Sequence, residues 1–312
     1  MNVCKLRLLA ALCFLALMAG CAGGGGGEDA QVLRIAYLPI SHSAAVMMLP
    51  HVVGEDSDFA VELVRFTTWP EVAEALLSGH VDGASILFEV AVTAFLMDAP
   101  IGVVSLSHRD GNVLVVDNTV QDIHCLVGRT VAIPHAHSPH YTLLGKVLAE
   151  AGLSFDDINL VEISPAEMPF SMAARAISAY VVAEPWGSIA EQRGAGRILV
   201  DSRDAIPDSV CCLFVLNSDL VSENPGLLEW IKATFALASA AAHLGDETVI
   251  EVFRQFTGFD RYVVYRSLAN TNFHNLAFTQ EDFDKTIEYV LRYGLLTDFP
   301  AFSDFSLCCL DE

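Results

Sequence analysis

Positive charge is what this chain has least of. Only 17 of its 312 residues are Lys or Arg, against 39 Asp or Glu, a formal net charge of -22. So acidic a chain repels phosphate backbones, which argues against a nucleic-acid partner. A small anionic ligand would have to be held by local donors against the overall field. Charged residues make up 18%, with 21 Gly and 12 Pro, a composition that fits neither a disordered nor a collagen-like chain. Past residue 20 no run of 18 uninterrupted apolar residues occurs, so nothing there reads as a membrane span. G-x-S-x-G, H-E-x-x-H and phosphate-loop patterns are missing as well, and no motif argues for catalysis. On these residues no enzyme is expected.

The first residues read as an address. Lys5 and Arg7 precede an apolar run from Leu8 to Gly20, too short to span a bilayer as a helix. A basic start, a short apolar core and a small-residue exit describe a secretory signal peptide over residues 1–20. The exit, Leu17-Met18-Ala19-Gly20-Cys21, is similar to the bacterial lipobox, with Met18 where Leu is commoner. Cys21 would be acylated, and residues 21–31, with glycines from Gly23 to Gly27, would form a flexible tether. The expected place of work is outside the cytoplasm, on a lipid anchor at the bacterial cell membrane.

Beyond Cys4, Cys13 and Cys21 the cysteines are Cys125, Cys211, Cys212, Cys308 and Cys309. The number left is odd, so at least one thiol is free or pairs between molecules. A bridge between the two vicinal pairs in an oxidising compartment is one reading, and buried inert thiols are the other. The spacing is not the C-x2-C of a zinc site.

From Val32 onward strands and helices alternate. Strands are expected at 32–38, 60–66, 81–87, 101–106, 112–117, 129–133, 158–163, 179–183, 197–201 and 212–216. Thr68-Trp69-Pro70-Glu71 reads as a capping box and Ser138-Pro139 as N-cap and N1 of a helix. Such alternation implies an α/β protein with parallel sheets. The pattern divides into two α/β lobes joined by two hinge strands near Asn112–Asp117 and Cys212–Leu216. Lobe 1 would take 32–114 and 214–312, and lobe 2 would take 115–213. The ligand belongs between them, beyond the C-terminal ends of the strands.

The loops facing that cleft carry the candidates for ligand contact. They are Ser41, His42, Trp69, Glu89, His108, Arg109, Asn112, His137, Ser138, His140, Glu184 and Trp186. Five of the ten His lie there: His42, His108, His135, His137 and His140. The His135-x-His137-x-x-His140 run has two candidate uses. A helix N-terminus with an imidazole beside it can take an anion, or the three imidazoles can ligate a metal. Arg109 is the best single cation for an anionic solute. Trp69 can wall off a ligand or fill core, and Glu184 can accept from a ligand or cap a helix.

Several segments carry a resemblance to a known family. They are LRIAYLPI from Leu33, Trp69 with ALLSGHVDGA from Ala75, LVGRTVAI from Leu126 and AYVVAEPW from Ala179. In that order the chain resembles the NMT1-like substrate-binding proteins of ABC importers, the nitrate, sulfonate, taurine and bicarbonate group related to thiamine-pyrimidine binders. The resemblance implies a type II periplasmic binding protein fold. It also implies a permease and an ATPase as partners, a monomer and a nitrate-, sulfonate- or bicarbonate-like anion as solute. A thiamine-pyrimidine-like heterocycle is the alternative, and a metal-binding lipoprotein or an enzyme sharing the fold is the alternative of another class. It places a Trp at Trp69, an amide at Asn112 and a His at His140. Where nitrate binders use a Lys this chain has Glu223. Bicarbonate binders are similar in having an acid there with a bound calcium, so Glu223 joins the His run as a metal candidate. No other cofactor is implied.

Overall fold

The computed structural model describes residues 30–55 and 57–307. The signal peptide, Cys21, most of the tether and the pair Cys308-Cys309 lie outside the described residues. In chain order the strands are β1 (Gln31–Tyr37), β2 (Phe59–Arg65), β3 (Gly83–Leu87), β4 (Ile101–Leu106), β5 (Arg109–Asp110), β6 (Asn112–Asp117), β7 (Thr130–Ile133), β8 (Asn159–Glu162), β9 (Ala179–Ala183), β10 (Gly196–Asp201), β11 (Cys212–Asn217) and β12 (Thr271–Asn272). The helices are α1 (Ala44–Val52), α2 (Trp69–Leu77), α3 (Phe88–Leu96), α4 (Pro139–Glu150), α5 (Met168–Ala173), α6 (Trp186–Gln192), α7 (Ser202–Ala205), α8 (Ser218–Glu223), α9 (Leu227–Leu244), α10 (Glu247–Thr257), α11 (Arg261–Ala269), α12 (Gln280–Tyr293) and α13 (Phe302–Phe305). Among the described residues no helix is long and apolar enough to cross a membrane.

Two five-stranded sheets form, one per lobe. Their orders are β2-β1-β3-β11-β4 and β10-β6-β9-β7-β8. The strands βα alternation predicts do form, but the sheets are mixed rather than parallel. β11 runs antiparallel between β3 and β4, and β6 runs antiparallel between β10 and β9. The two segments read as hinges are thus sheet members, one in each lobe. The chain crosses between lobes before Asn112 and before Cys212, and the crossings pair with each other. Arg109 bridges Val210, and the Asp110 amide donates to the Ser209 carbonyl at 3.1 Å. The short β5 also pairs with β12, which ties the C-terminal region to the crossing.

The inner strands are apolar on both faces because helices cover both. β3, β9 and the first five residues of β11 are buried throughout. The helix signals at the cleft side behave as the sequence predicts. Thr68 and Glu71 exchange the two capping-box contacts at the start of α2. Ser138 accepts from the Tyr141 amide at the start of α4.

Candidate functional site

Strand direction assembles the site. β1, β3 and β4 run the same way, so their C-terminal ends share one edge of the lobe-1 sheet. His42 follows β1, Glu89 follows β3 and His108 follows β4. β11 runs opposite, so its first residues come to that same edge. Cys212 pairs with Leu87 and Leu213 with Leu106. Positions 42, 108, 211 and 212 therefore meet.

All four side chains are fully buried, and one candidate ligand atom from each lies within 4.8 Å of the others. The Cys211 and Cys212 sulfurs are 3.8 Å apart. His42 Nδ1 is 3.6 Å from Cys211 Sγ and 3.7 Å from Cys212 Sγ. The rings of His42 and His108 stack with centroids 3.6 Å apart. Successive strand residues normally point to opposite faces. Cys211 escapes that alternation because it precedes the first residue of β11. Gly111 backs the cluster: at φ +85° it takes a left-handed conformation, and a Cβ there would sit 2.9 Å from His42 Nε2.

The lobe-2 edge closes over this floor. β6 begins there at Asn112, paired with Ala183 at the end of β9, and α4 brings His140. Ser41 donates to the Glu184 carbonyl at 3.0 Å, and Thr142 donates to Glu89 Oε1 at 3.2 Å, so both contacts join the lobes. A cavity of about 40 Å³ lies beside them, lined by Glu89, Asn112, Pro139 and Thr142 among others. Several buried polar atoms here have no hydrogen-bond partner: His42 Nε2, Glu89 Oε2, Asn112 Oδ1, Trp69 Nε1 and both ring nitrogens of His108 and His140. An unpaired buried group costs about 1–3 kcal/mol, and such groups gather where a ligand completes them.

Burial pushes His108 and His140 down to about 4, and for His108 the nearby His42 adds to the shift. Both imidazoles are therefore neutral at physiological pH, the form that ligates metals. Burial raises the Cys211 thiol, but contacts with Cys212, His42 and His108 outweigh it and hold Cys211 well below its ordinary value. Burial and the neighbouring Cys211 sulfur hold Cys212 well above.

The expected site residues divide. His42, His108, Glu89, Asn112, His140 and Trp69 are buried with unpaired polar atoms. Arg109 is a correction. Its guanidinium forms a two-pronged ion pair with Asp282, at 2.8 and 2.9 Å. Two further donors go to the carbonyls of Asn275 and Asp208, so four of its five N–H groups are taken and its charge is already paired. Glu184 is a cap: its carboxylate accepts from the Ser188 amide and hydroxyl and from Asn270. Ser138 likewise serves α4 as its cap, and Ser41 joins the lobes. Trp186 is buried and packs edge-on against Phe259, and its Nε1 is likewise unpaired. The His run does not converge, because His137 is exposed, His135 bonds locally to it and His140 is buried. Glu223 is exposed at the end of α8. Neither it nor that run belongs to the His/Cys group. Sequence reading weighed Cys211 and Cys212 only as bridging or inert thiols and did not place them in the site. Their signal was position: a thiol pair opening a strand, just after a crossing.

A family model described as the NMT1-like family matches residues 26–250. Among solved structures, the ligand-binding component of an ABC-type import system from Staphylococcus aureus, with zinc bound, is 30% identical with a TM-score of 0.78. The match covers 88% of this chain and 96% of that one. The periplasmic aliphatic sulphonate binding protein SsuA from Escherichia coli has a TM-score of 0.73 at 21% identity over 89% of this chain and 98% of its own, a likeness of fold. The bicarbonate transport ATP-binding protein CmpC of Synechocystis is 28% identical over 199 residues, 54% of this chain but 29% of that protein. The chain thus spans under a third of the length of that relative.

Proposed function

The chain belongs to the NMT1-like family, and on that premise we propose that it is the solute-binding component of an ABC import system. It holds a small solute between its lobes and presents it to a membrane permease powered by an ATPase. The observation that carries this reading is the set of buried, unpaired polar atoms where the two sheet edges meet, at His42, His108, Asn112 and His140. The two crossings are paired side by side, which suits a hinge. Solute would then select the closed arrangement by touching both edges at once. The zinc of the staphylococcal relative and the sulphonate of SsuA put both a metal ion and a small anion among the solutes this reading admits. The role is binding, not catalysis.

Small-angle scattering of the purified chain tests it against a panel of zinc(II), nitrate, bicarbonate and an alkanesulfonate. One of these is expected to reduce the radius of gyration. A profile that none of them changes would count against a closing binder. The address belongs to the same proposal: an extracytoplasmic chain held by acyl groups on Cys21. Cys21→Ala is expected to move the protein from the membrane fraction to the soluble one, read by fractionation and blotting. Retention of the variant in the membrane would refute the lipid anchor.

A further inference from the structure

We propose that His42, His108, Cys211 and Cys212 bind one thiophilic divalent ion of the zinc type, and that this ion is the solute. The inference rests on the solute-binding reading above and names its substrate class.

The distances carry it. Zinc sits about 2.3 Å from a thiolate sulfur and about 2.0–2.1 Å from an imidazole nitrogen. At a tetrahedral angle those bonds put two sulfurs about 3.8 Å apart and a sulfur about 3.6 Å from a nitrogen. The three edges observed are 3.8, 3.6 and 3.7 Å. Hydrogen bonds fit two of these edges at once but not all three with His42 Nδ1 as acceptor. His42 Nδ1 has one lone pair and cannot accept from both thiols. A metal ion at the centre uses all three atoms together, and His108 supplies a fourth donor within 4.8 Å of the others.

Charge and softness select the ion. Two thiolates and two neutral imidazoles make a soft set that disfavours calcium and magnesium, which take oxygen ligands. With a divalent ion the thiolate charges cancel, and the complex is neutral. A monovalent copper ion would leave one negative charge in a fully buried site, beside the Glu89 carboxyl, and burying unbalanced charge is costly. Protons still on the thiols leave to solvent as the metal–sulfur bonds form.

The position makes the ion a cargo rather than a staple. All four ligands lie on the lobe-1 edge, and His140 comes down on that edge from lobe 2. It is buried with neither ring nitrogen paired. Closing the lobes covers the ion, and parting them exposes it.

The test uses the full chain, reduced with a phosphine and stripped of metal by a chelator. Zinc(II) is titrated in competition with a chromophoric chelator, and cobalt(II) is titrated as a coloured substitute. One ion per chain is expected. Cobalt should give the intense visible bands of a tetrahedral site and a near-ultraviolet thiolate charge-transfer band. Cys211→Ser and Cys212→Ser should each weaken zinc by more than the roughly 10–100-fold that losing an outer-shell partner costs. Cys125→Ser, outside the cluster, should leave it unchanged. The cobalt spectrum of the parent needs no variant, so a serine variant that fails to fold does not blunt the test. No stoichiometric uptake, a cobalt spectrum without the thiolate band or full affinity in the double serine variant would overturn the site. Zinc bound with no change in radius of gyration would overturn the cargo assignment. If zinc fails while nitrate or an alkanesulfonate compacts the chain, the import reading stands and this inference falls. If nothing compacts it, the import reading falls first.

Discussion

Arg109→Ala is expected to cost about 3–5 kcal/mol of folding stability, the usual result of removing one partner from a buried ion pair. The Arg109 side chain is 8% exposed and that of Asp282 is 15%. Without the guanidinium, the Asp282 carboxylate stays desolvated with only its Thr279 contacts. The pair also joins a lobe crossing to α12, so the loss reaches the C-terminal region. The pH dependence has a definite sign. Burial raises the Asp282 carboxyl, but hydrogen bonds from Arg109 and Thr279 outweigh this and hold it below its usual value. A depressed carboxyl contributes stability that is present above its unfolded value, about 3.9, and lost as pH falls through the folded one. The gap between parent and variant should therefore be wide at pH 7 and narrow at about pH 3, where protonation relieves the stranded charge. Urea unfolding at both pH values reads it, and zinc affinity should stay near that of the parent. A variant as stable as the parent that has lost its solute would return Arg109 to the ligand site.

Glu89→Gln is expected to stabilise the metal-free protein at alkaline pH by several kcal/mol. Glu89 is 2% exposed. Burial pushes its carboxyl up to about 8, and the neighbouring Cys211 adds to the shift. The fold therefore binds a proton that the unfolded chain has released. Stability falls as pH rises from the unfolded value near 4.3 to the folded value near 8, at up to about 1.4 kcal/mol per pH unit. Gln cannot ionise, keeps an oxygen for Thr142 and escapes this slope. Thermal unfolding from pH 5 to pH 9, with a chelator present, should give curves that coincide at the acid end and diverge at the alkaline end. Parallel curves throughout would mean that the Glu89 carboxyl is charged and satisfied in the fold.

Much of the architecture was legible because it is written locally. Hydrophobic runs with Gly and Pro punctuation placed the strands, and Thr68 with Glu71 and Ser138 with Pro139 marked two helix starts. Those signals act within a turn or two of chain, so a reader of the sequence sees both partners at once. The chain also pointed to the edge where function lies, since His42, Glu89, His108 and Asn112 each follow or open a strand. It could not show that β11 runs antiparallel between β3 and β4, because strand direction depends on how the chain returns from lobe 2. That one fact carries Cys211 and Cys212 from positions 169 and 170 residues beyond His42 to 3.6 and 3.7 Å from its ring.

The sequence by itself determined the βα alternation, the acidic surface, the helix caps and the strand ends that face the cleft. Each of these rests on residues near one another in the chain. Only the tertiary structure decided the use of Arg109, Glu184 and the four His/Cys side chains. For Arg109 the decisive partner was Asp282, 173 positions away, and for Glu184 one partner was Asn270, 86 positions away. A guanidinium in a loop can hold an anion or a carboxylate equally well. Which one it holds is fixed by the group that burial places opposite it.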